Sequence, residues 1–399
     1  MEVMMDDGLT GWPVDGPALH SSLLQAEVPA SAVALIIDAA RPAMMLTTTQ
    51  ENDDVIAIGS TKFGGRPDLP ATVPWPHRGA YANAEELIRE TYNGAERFHA
   101  DAGQVPPWMS AEDGKAMLAE NERLKAETRA FMQSLSISND DLDAGFSYTF
   151  TPEQAAEVAH EAIAKVKALK GAFPLAFLAQ IDLADLSSSP GFDAALPRDG
   201  RLYFFYDLFV LPPSYHPASS IGLRVIHDRS PADELVRAEL PEALAAISDF
   251  VGTSLKPATV TAHSVLTAVP QYSAAAEALG LSEADLSTYG SWLSQVPGWP
   301  GDGPEQAHQL GGWRRAIQAT MEGTAQLAAN GLNAGTSEAF SSAEGKRLLE
   351  DEAAWRLVFQ LGPDDAIGNL LPGALNILMR QEDLKAGRFE KAWAVYEQD

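Results

Sequence analysis

Lys62 and Arg66 bracket two adjacent glycines, Gly64 and Gly65, in the run TKFGGRPDLPATVPWP, and Asp68 follows two residues later. Two cationic side chains beside exposed backbone amides can hold a carboxylate or a phosphate group. The plainer reading is that the glycines supply the positive φ of a tight turn and that Lys62 is solvated. Pro67 and Pro70 stop a helix from starting after the glycines, so no helix N-terminus would face an anion there. The run also lacks the G-x-G-x-x-G and G-x₄-G-K-[ST] spacings of nucleotide-binding loops. A second candidate pair is Gln180 and Asp182, in the strand-like run AQIDL. A buried glutamine must be hydrogen-bonded, so Gln180 is either a structural hub or a ligand contact.

Other chemistries have weaker footing. The chain has no cysteine, which excludes disulfides, thiol catalysis and zinc-thiolate sites. Its eight histidines are scattered, and the helix containing His160 has Ala164 where a zincin needs its second histidine. NDDLDAG sets Asn139, Asp141 and Asp143 at calcium-loop spacing, but Phe150 occupies the twelfth position, where glutamate is required. PDDAIGN, at 363–369, is similarly incomplete. No G-x-S-x-G elbow is present. Neither a metal nor a cofactor is expected.

The 55 acidic and 28 basic residues give a formal charge of −27. Such a balance repels nucleic acids and anionic membranes over a Debye length. It suits solubility in general, or a face that meets a cationic protein. The longest basic cluster is Arg314-Arg315. The first residues are acidic and lack the apolar stretch of a signal peptide, and no apolar run approaches the roughly 20 residues of a membrane helix. A soluble cytoplasmic protein is the expectation.

The elements that would position these groups follow from periodicity and punctuation. At 399 residues the chain has room for two or three average domains. Residues 1–30 read as an irregular arm, broken by Trp12, Pro13, Gly16, Pro17 and Pro29. A short buried helix from Ser31 precedes strands at AMMLTTT and DVIAIGSTKF, the second ending at the glycine pair. From about Ala82 to Gly171 the composition is helical. Ser110 and Asp113 make a capping box, and Thr151, Pro152 and Gly171 delimit a helix with the stripe Ala155, Val158, Ala162, Val166 and Leu169.

PLAFLAQIDLADL then reads as a buried strand. GRLYFFYDLFVL puts Tyr203 and Phe205 on one face and Leu202, Phe204 and Tyr206 on the other. Aromatics on both faces imply a strand packed on both sides, or one face holding a ligand. IGLRVIHD and ATVTAHSVLTAV are further strands, residues 270–350 are helix and loop, and strands return from Trp355.

One internal echo stands out. AFLAQIDL … DGRLYFFY at 176–206 matches RLVFQLGP … PGALNILM at 356–379, Gln180 with Gln360 and Gly200 with Gly373. Either this is chance, or two related β units sit about a pseudo-twofold axis. The fold class is α+β, with mixed or antiparallel β units and helical insertions.

Taken in order, TKFGGRPDLPATVPWP, PLAFLAQIDLADL, LPRDGRLYFFYD, HQLGGW and WRLVFQLGPDD … GALNILMRQEDLKAGRFEKAWAVYEQ resemble the YwqG-like family, a bacterial domain of unknown function. The resemblance covers chiefly residues 55–76, 173–230 and 308–397. By position, Lys62, Gly64, Gly65, Pro67, Leu69, Pro70, Trp75 and Pro76 fill the family's opening motif, and Pro174, Gln180, Ile181 and Asp182 its strand motif. The chain departs from the pattern in the long segment between Pro76 and Pro174, and in reading GALNILM where the family has a more aromatic strand. The resemblance implies an α+β fold and no particular activity. It divides the chain into an arm with a first helix and strand, 1–54, and a domain, 55–399, interrupted by a helical insertion at about 78–172.

Two functional readings follow. In the first, the chain is a non-catalytic binding module, regulatory or of immunity type, that captures a basic protein. In the second, it is an enzyme or small-ligand binder with a pocket between the β units. Lys62, Gln180, Tyr203 and Phe205 would line that pocket, with Gly64, Gly65, Arg66, Asp68 and Asp182 beside it. The lack of any catalytic constellation favours the first.

Overall fold

The computed structural model describes residues 13–135, 150–250, 252–296, 308–314 and 321–398. The calcium-loop residues 139–143 lie outside them. The chain divides into two compact units, one made of Met1–Arg78 with Pro174–Asp399, the other of Gly79–Phe173.

The described strands are β1 (Arg41–Gln50), β2 (Lys62–Phe63), β3 (Asp68–Pro70), β4 (His77–Arg78), β5 (Phe173–Pro174), β6 (Ala176–Asp182) and β7 (Arg201–Tyr206). They continue with β8 (Leu223–Asp228), β9 (Leu235–Arg237), β10 (Ala258–Thr267), β11 (His308–Leu310), β12 (Trp355–Leu361), β13 (Ala374–Arg380) and β14 (Trp393–Glu397). Ten of them make one sheet in the order β14-β13-β12-β11-β1-β10-β2-β6-β7-β8. Every pairing in it is antiparallel, so the α+β expectation holds.

β1 and β10 form the centre, paired from Arg41–Thr267 to Gln50–Ala258. The two sides share local detail. Each short strand next to the centre runs into a glycine pair with positive φ: Gly64-Gly65 at 58° and 65°, Gly311-Gly312 at 70° and 73°. Gly64 N–H donates to Leu178 O, and Gly311 N–H donates to Val358 O. The next strand on each side carries a register shift, between Phe177 and Ala179 and between Leu357 and Phe359. Gln180 lies opposite Lys62, and Gln360 opposite Gln309.

The two-residue alternation of β1 gives it two cores. Met44 and Leu46 join Phe63, Leu178, Phe204 and Phe359. Ala43 and Met45 pack under α1 (Gly16–Gln25) and α2 (Ala30–Ala39) through Leu19, Leu23, Val33 and Ile36. Each such fully buried large side chain contributes roughly 1.5–3 kcal/mol. Phe204 and Phe359 stack with centroids 4.5 Å apart although their strands are six places apart in the sheet. The sheet therefore curls until its two sides meet.

Three expectations are corrected. Residues 270–350 are not only helix and loop: β11 (His308–Leu310) lies within them and joins the main sheet beside β1. Within the expected irregular arm 1–30, the described residues 13–30 are not simply irregular: the Asp15 side chain accepts from Ala18 N–H and caps α1, and Pro17 sits in the first turn, where a missing N–H costs little. The strand expected over 54–63 shrinks to β2. Residues 52–61 turn instead, because Ile56 O, Gly59 N–H and O, and Ser60 O face side chains rather than a neighbouring strand.

The smaller unit holds α3 (Ala84–Asp101), α4 (Ala111–Ser134) and α5 (Pro152–Leu169). α5 opens on a complete capping box, Thr151 with Gln154, and buries Ala155, Ala159, Ala162, Val166, Ala168 and Leu169. α4 is capped by Ser110 but buries only Gly114, leaving Leu124 and Phe131 exposed. Trp108 lies between Tyr92, stacked at 4.5 Å, and His99, edge-on at 5.8 Å. Among the described residues, no helix is long and apolar enough to cross a membrane.

Candidate functional site

The candidate residues are positioned by three neighbouring strands of the sheet and one short ribbon. Lys62 lies opposite Gln180, and Gln180 opposite Tyr203, so the three form a row across β2, β6 and β7. The ribbon pairs β3 with β9 and sets Asp68 opposite Arg237. Asp68 is fully buried. Its Oδ1 accepts from Arg237 Nε at 2.8 Å, and its Oδ2 accepts from Gly59 N–H at 2.9 Å and from Gln180 Nε2 at 2.8 Å. Gln180 Oε1 accepts from Asp68 N–H at 2.8 Å, and Nε2 also donates to Ser60 O at 2.8 Å. The amide of Gln180 is thus matched at its carbonyl and at both N–H groups. Tyr203 Oη donates to Asp68 O at 2.6 Å, and burial pushes its phenol well above the ordinary range.

The basic residues of the motif are held just as closely. Lys62 is fully buried, with its ammonium 2.6 Å from Asp53 Oδ1. Arg66 Nε meets Asp53 Oδ2 at 2.9 Å, its Nη2 meets Asp54 Oδ1 at 2.6 Å, and Arg237 Nη1 lies 3.5 Å from Asp53 Oδ1. Burial lowers the Lys62 pKa, and the Asp53 bond offsets only part of that. Burial raises the Asp53 pKa, but the Lys62 and Arg66 bonds outweigh it and hold the carboxyl below its ordinary range. Arg201 reaches Gly59 O at 2.6 Å, Ser230 O at 3.1 Å and Asp182 Oδ2 at 3.0 Å.

Lys62, Arg66, Arg201 and Arg237 therefore meet Asp53, Asp54, Asp68 and Asp182, four cations against four carboxylates. That balance leaves no net charge at the turn to attract an anion. Gly65 is what lets Asp53 approach: a Cβ there would stand 2.7 Å from Asp53 Oδ1.

Lys62, Gly64, Gly65, Arg66, Asp68, Gln180, Asp182 and Tyr203 are thus brought together. Phe205 lies next to them in an apolar setting, with its ring 5.8 Å from Trp75 and 5.4 Å from Phe177. Trp75 Nε1 donates to Leu175 O at 2.8 Å and anchors the proline-rich corner. β7 is packed on both faces, with Leu202 through Tyr206 all buried.

Sequence reasoning missed Asp53, Arg201 and Arg237. Arg237 reaches the site through the β3–β9 ribbon, and no local spacing announces that pairing.

A second buried cluster joins Thr48, His308 and Asp364. His308 Nδ1 accepts from Gly362 N–H at 3.2 Å, which places the ring proton on Nε2, 3.0 Å from Asp364 Oδ2. The Thr48 hydroxyl donates to the same oxygen. A nucleophile triad needs the hydroxyl to donate to the imidazole, and here both groups donate to the carboxylate.

Residues 61–397 match the family model of a domain of unknown function, DUF1963. The chain belongs to the DUF1963 family. No curated protein matches it. The DUF1963 match starts at Thr61, which opens the glycine motif, and ends at Glu397, the last residue of β14. β1 lies outside the matched DUF1963 region although it occupies the centre of the sheet. Within the DUF1963 region the first glycine pair is followed by Arg66 and the second by Trp313. Trp313 is buried, and the Arg41 guanidinium lies 3.4 Å from the centre of its ring.

Proposed function

We propose that this DUF1963 protein is a non-catalytic binding module that captures a cationic protein, and that its family motif is scaffold. The observation that carries this reading is the four-against-four neutralisation at the glycine turn. Because those cations are matched locally, the −27 of the whole chain is left to the rest of the molecule. A partner of opposite sign would then be drawn in by a salt-sensitive field. Affinity capture from the native lysate at about 50 mM salt should recover a discrete basic protein in fixed stoichiometry. About 0.5 M salt, where the Debye length falls to a few ångströms, should release it. Recovering no such protein at the lower salt counts against the reading.

The same reading takes the two sides of the sheet as products of an internal duplication. It is supported by the paired glycine turns, the matching register shifts, and Gly200 and Gly373. A Cβ at each of those two glycines would strike the carbonyl of the adjoining strand, Asp228 O or Glu397 O. Thr61 Oγ1 accepts from Asp182 N–H as His308 Nδ1 accepts from Gly362 N–H. On this view Trp313 stands where the first half has Arg66, and the second half has traded a salt-bridged turn for an aromatic one. The segment Gly79–Phe173 is read as a helical insertion into the DUF1963 domain.

A further inference from the structure

Beside the second glycine turn lies a cavity of about 100 Å³. Among the described residues it is lined by Tyr272, Glu277, Trp313, Glu322, Glu352 and Trp355, with small residues between them and no lysine or arginine. The two indoles are fixed walls: Trp313 Nε1 donates to Ala39 O at 2.7 Å, and Trp355 Nε1 donates to Gln326 Oε1 at 2.8 Å. Tyr272 stands 74% exposed at the same cavity. Arg380 lies 5.7 Å from the ring centre of Trp355, but neither it nor Arg41 lines the cavity.

The three carboxylates differ. Glu322 is held in a two-point pair with Arg314, at 2.9 and 3.0 Å. Glu277 and Glu352 form no ion pair among the described residues. Burial pushes the Glu352 carboxyl above its ordinary range, and Glu322 and Glu277 push it the same way. A cation seated beside it would relieve that repulsion. No three acidic or histidine side chains among the described residues are arranged to hold a metal ion. Aromatic walls with dispersed carboxylates suit an organic cation on an apolar stem.

We infer that this cavity binds a protonated alkylamine, as carried by a lysine side chain of the cationic partner. The inference rests on the binding-module reading and names the group that is recognised. The test titrates n-butylammonium, with n-butanol as its neutral match, into the whole protein, followed by tryptophan fluorescence and calorimetry. The ammonium is expected to bind saturably with a Kd of about 1–10 mM, the range open to so small a ligand. The alcohol should bind about tenfold more weakly.

Glu352→Gln keeps the shape, removes the charge, and should weaken the ammonium about tenfold. Gly323→Ala is a second route to the same group. Its Cβ would lie 2.8 Å from Glu352 Oε2 and displace that carboxylate, while alanine suits the helix Met321–Ala329 better than glycine does. Equal binding of ammonium and alcohol, or ammonium binding that neither substitution weakens, overturns the inference.

Poly-L-lysine separates a side chain from a free amine. It should compete with n-butylammonium in the native protein, and failure to compete overturns the lysine assignment. If the ammonium binds but no basic protein is captured at low salt, the binding-module reading fails while the amine site stands. If capture is unchanged in Glu352→Gln, the cavity is not the partner's seat and the inference fails while that reading stands.

Discussion

Replacing Asp68 by asparagine tests whether the glycine motif is scaffold or ligand contact. Asparagine has the same shape but no charge, and one of its two terminal groups is a donor. Oδ2 of Asp68 receives Gly59 N–H and Gln180 Nε2, while Oδ1 receives Arg237 Nε, so an amide nitrogen must face a donor whichever way it turns. Breaking one partner out of a buried charge pair costs about 3–5 kcal/mol. The unit that carries the network spans about 300 residues. At about 2.1 cal/mol/K per residue its unfolding entropy is about 0.6 kcal/mol/K, so Tm should fall by about 5–8 °C. Asp54→Asn is the control: it removes the exposed partner of Arg66, 79% exposed, and should cost about 0–1 kcal/mol, or less than about 2 °C. Both shifts can be read by calorimetry on the purified proteins. If Asp68→Asn melts within 2 °C of the parent, the network is not holding the fold, and the argument that its charges serve structure is refuted.

Gly64→Ala should lower Tm far more than Gly280→Ala. Both glycines have positive φ, at 58° and 64°, but a Cβ on Gly64 would lie 2.2 Å from Lys256 O while one on Gly280 meets nothing within 4 Å. The second should therefore cost only the left-handed backbone penalty of about 1–2 kcal/mol, and equal shifts would refute the packing argument. His99 is buried, with both ring nitrogens lacking partners among the described residues, and burial lowers its pKa. The unfolded chain takes up a proton below its ordinary pKa of about 6.5, whereas the folded unit resists until lower pH. Stability of Gly79–Phe173 from this residue is thus fully present above that pH and lost as pH falls toward the folded pKa. Protection against hydrogen exchange in that unit, taken relative to the intrinsic amide rate at each pH, should fall as the pH drops below about 6.5, and His99→Phe should remove that component.

The α+β class was legible because β6 and β7 read as apolar runs bounded by turn residues, and because α5 is delimited by Thr151, Pro152 and Gly171. The motif residues could be found because a glycine pair between two basic residues, and a glutamine inside an apolar strand, are each unusual in type; the burial of Lys62, whose plainer reading is a solvated side chain, was not legible. The partners of these residues could not be found. Asp53 and Arg237 meet Lys62 and Asp68 through tertiary approach of loops and a short ribbon, and nothing in the spacing encodes that. Helix α1 was hidden because Gly16 and Pro17 read as breakers, although proline in a first turn is a helix start. The cavity draws its walls from Tyr272, Trp313 and Trp355, each an ordinary core or surface aromatic when met singly.

The placement of β1 also sets a timetable for the nascent chain. Its two sheet neighbours, β10 and β11, begin at Ala258 and His308, so a strand that leaves the ribosome early waits for more than two hundred residues of synthesis before either edge is covered. At about 5–20 residues per second that interval is roughly 10–40 s. Through it Met44, Met45 and Leu46 present apolar surface on both faces of an unpaired strand. α1 and α2, which pack on its Ala43 and Met45 face, can cover only that side in the interval, so the Met44 and Leu46 face is the part of the nascent chain most exposed to wrong pairing.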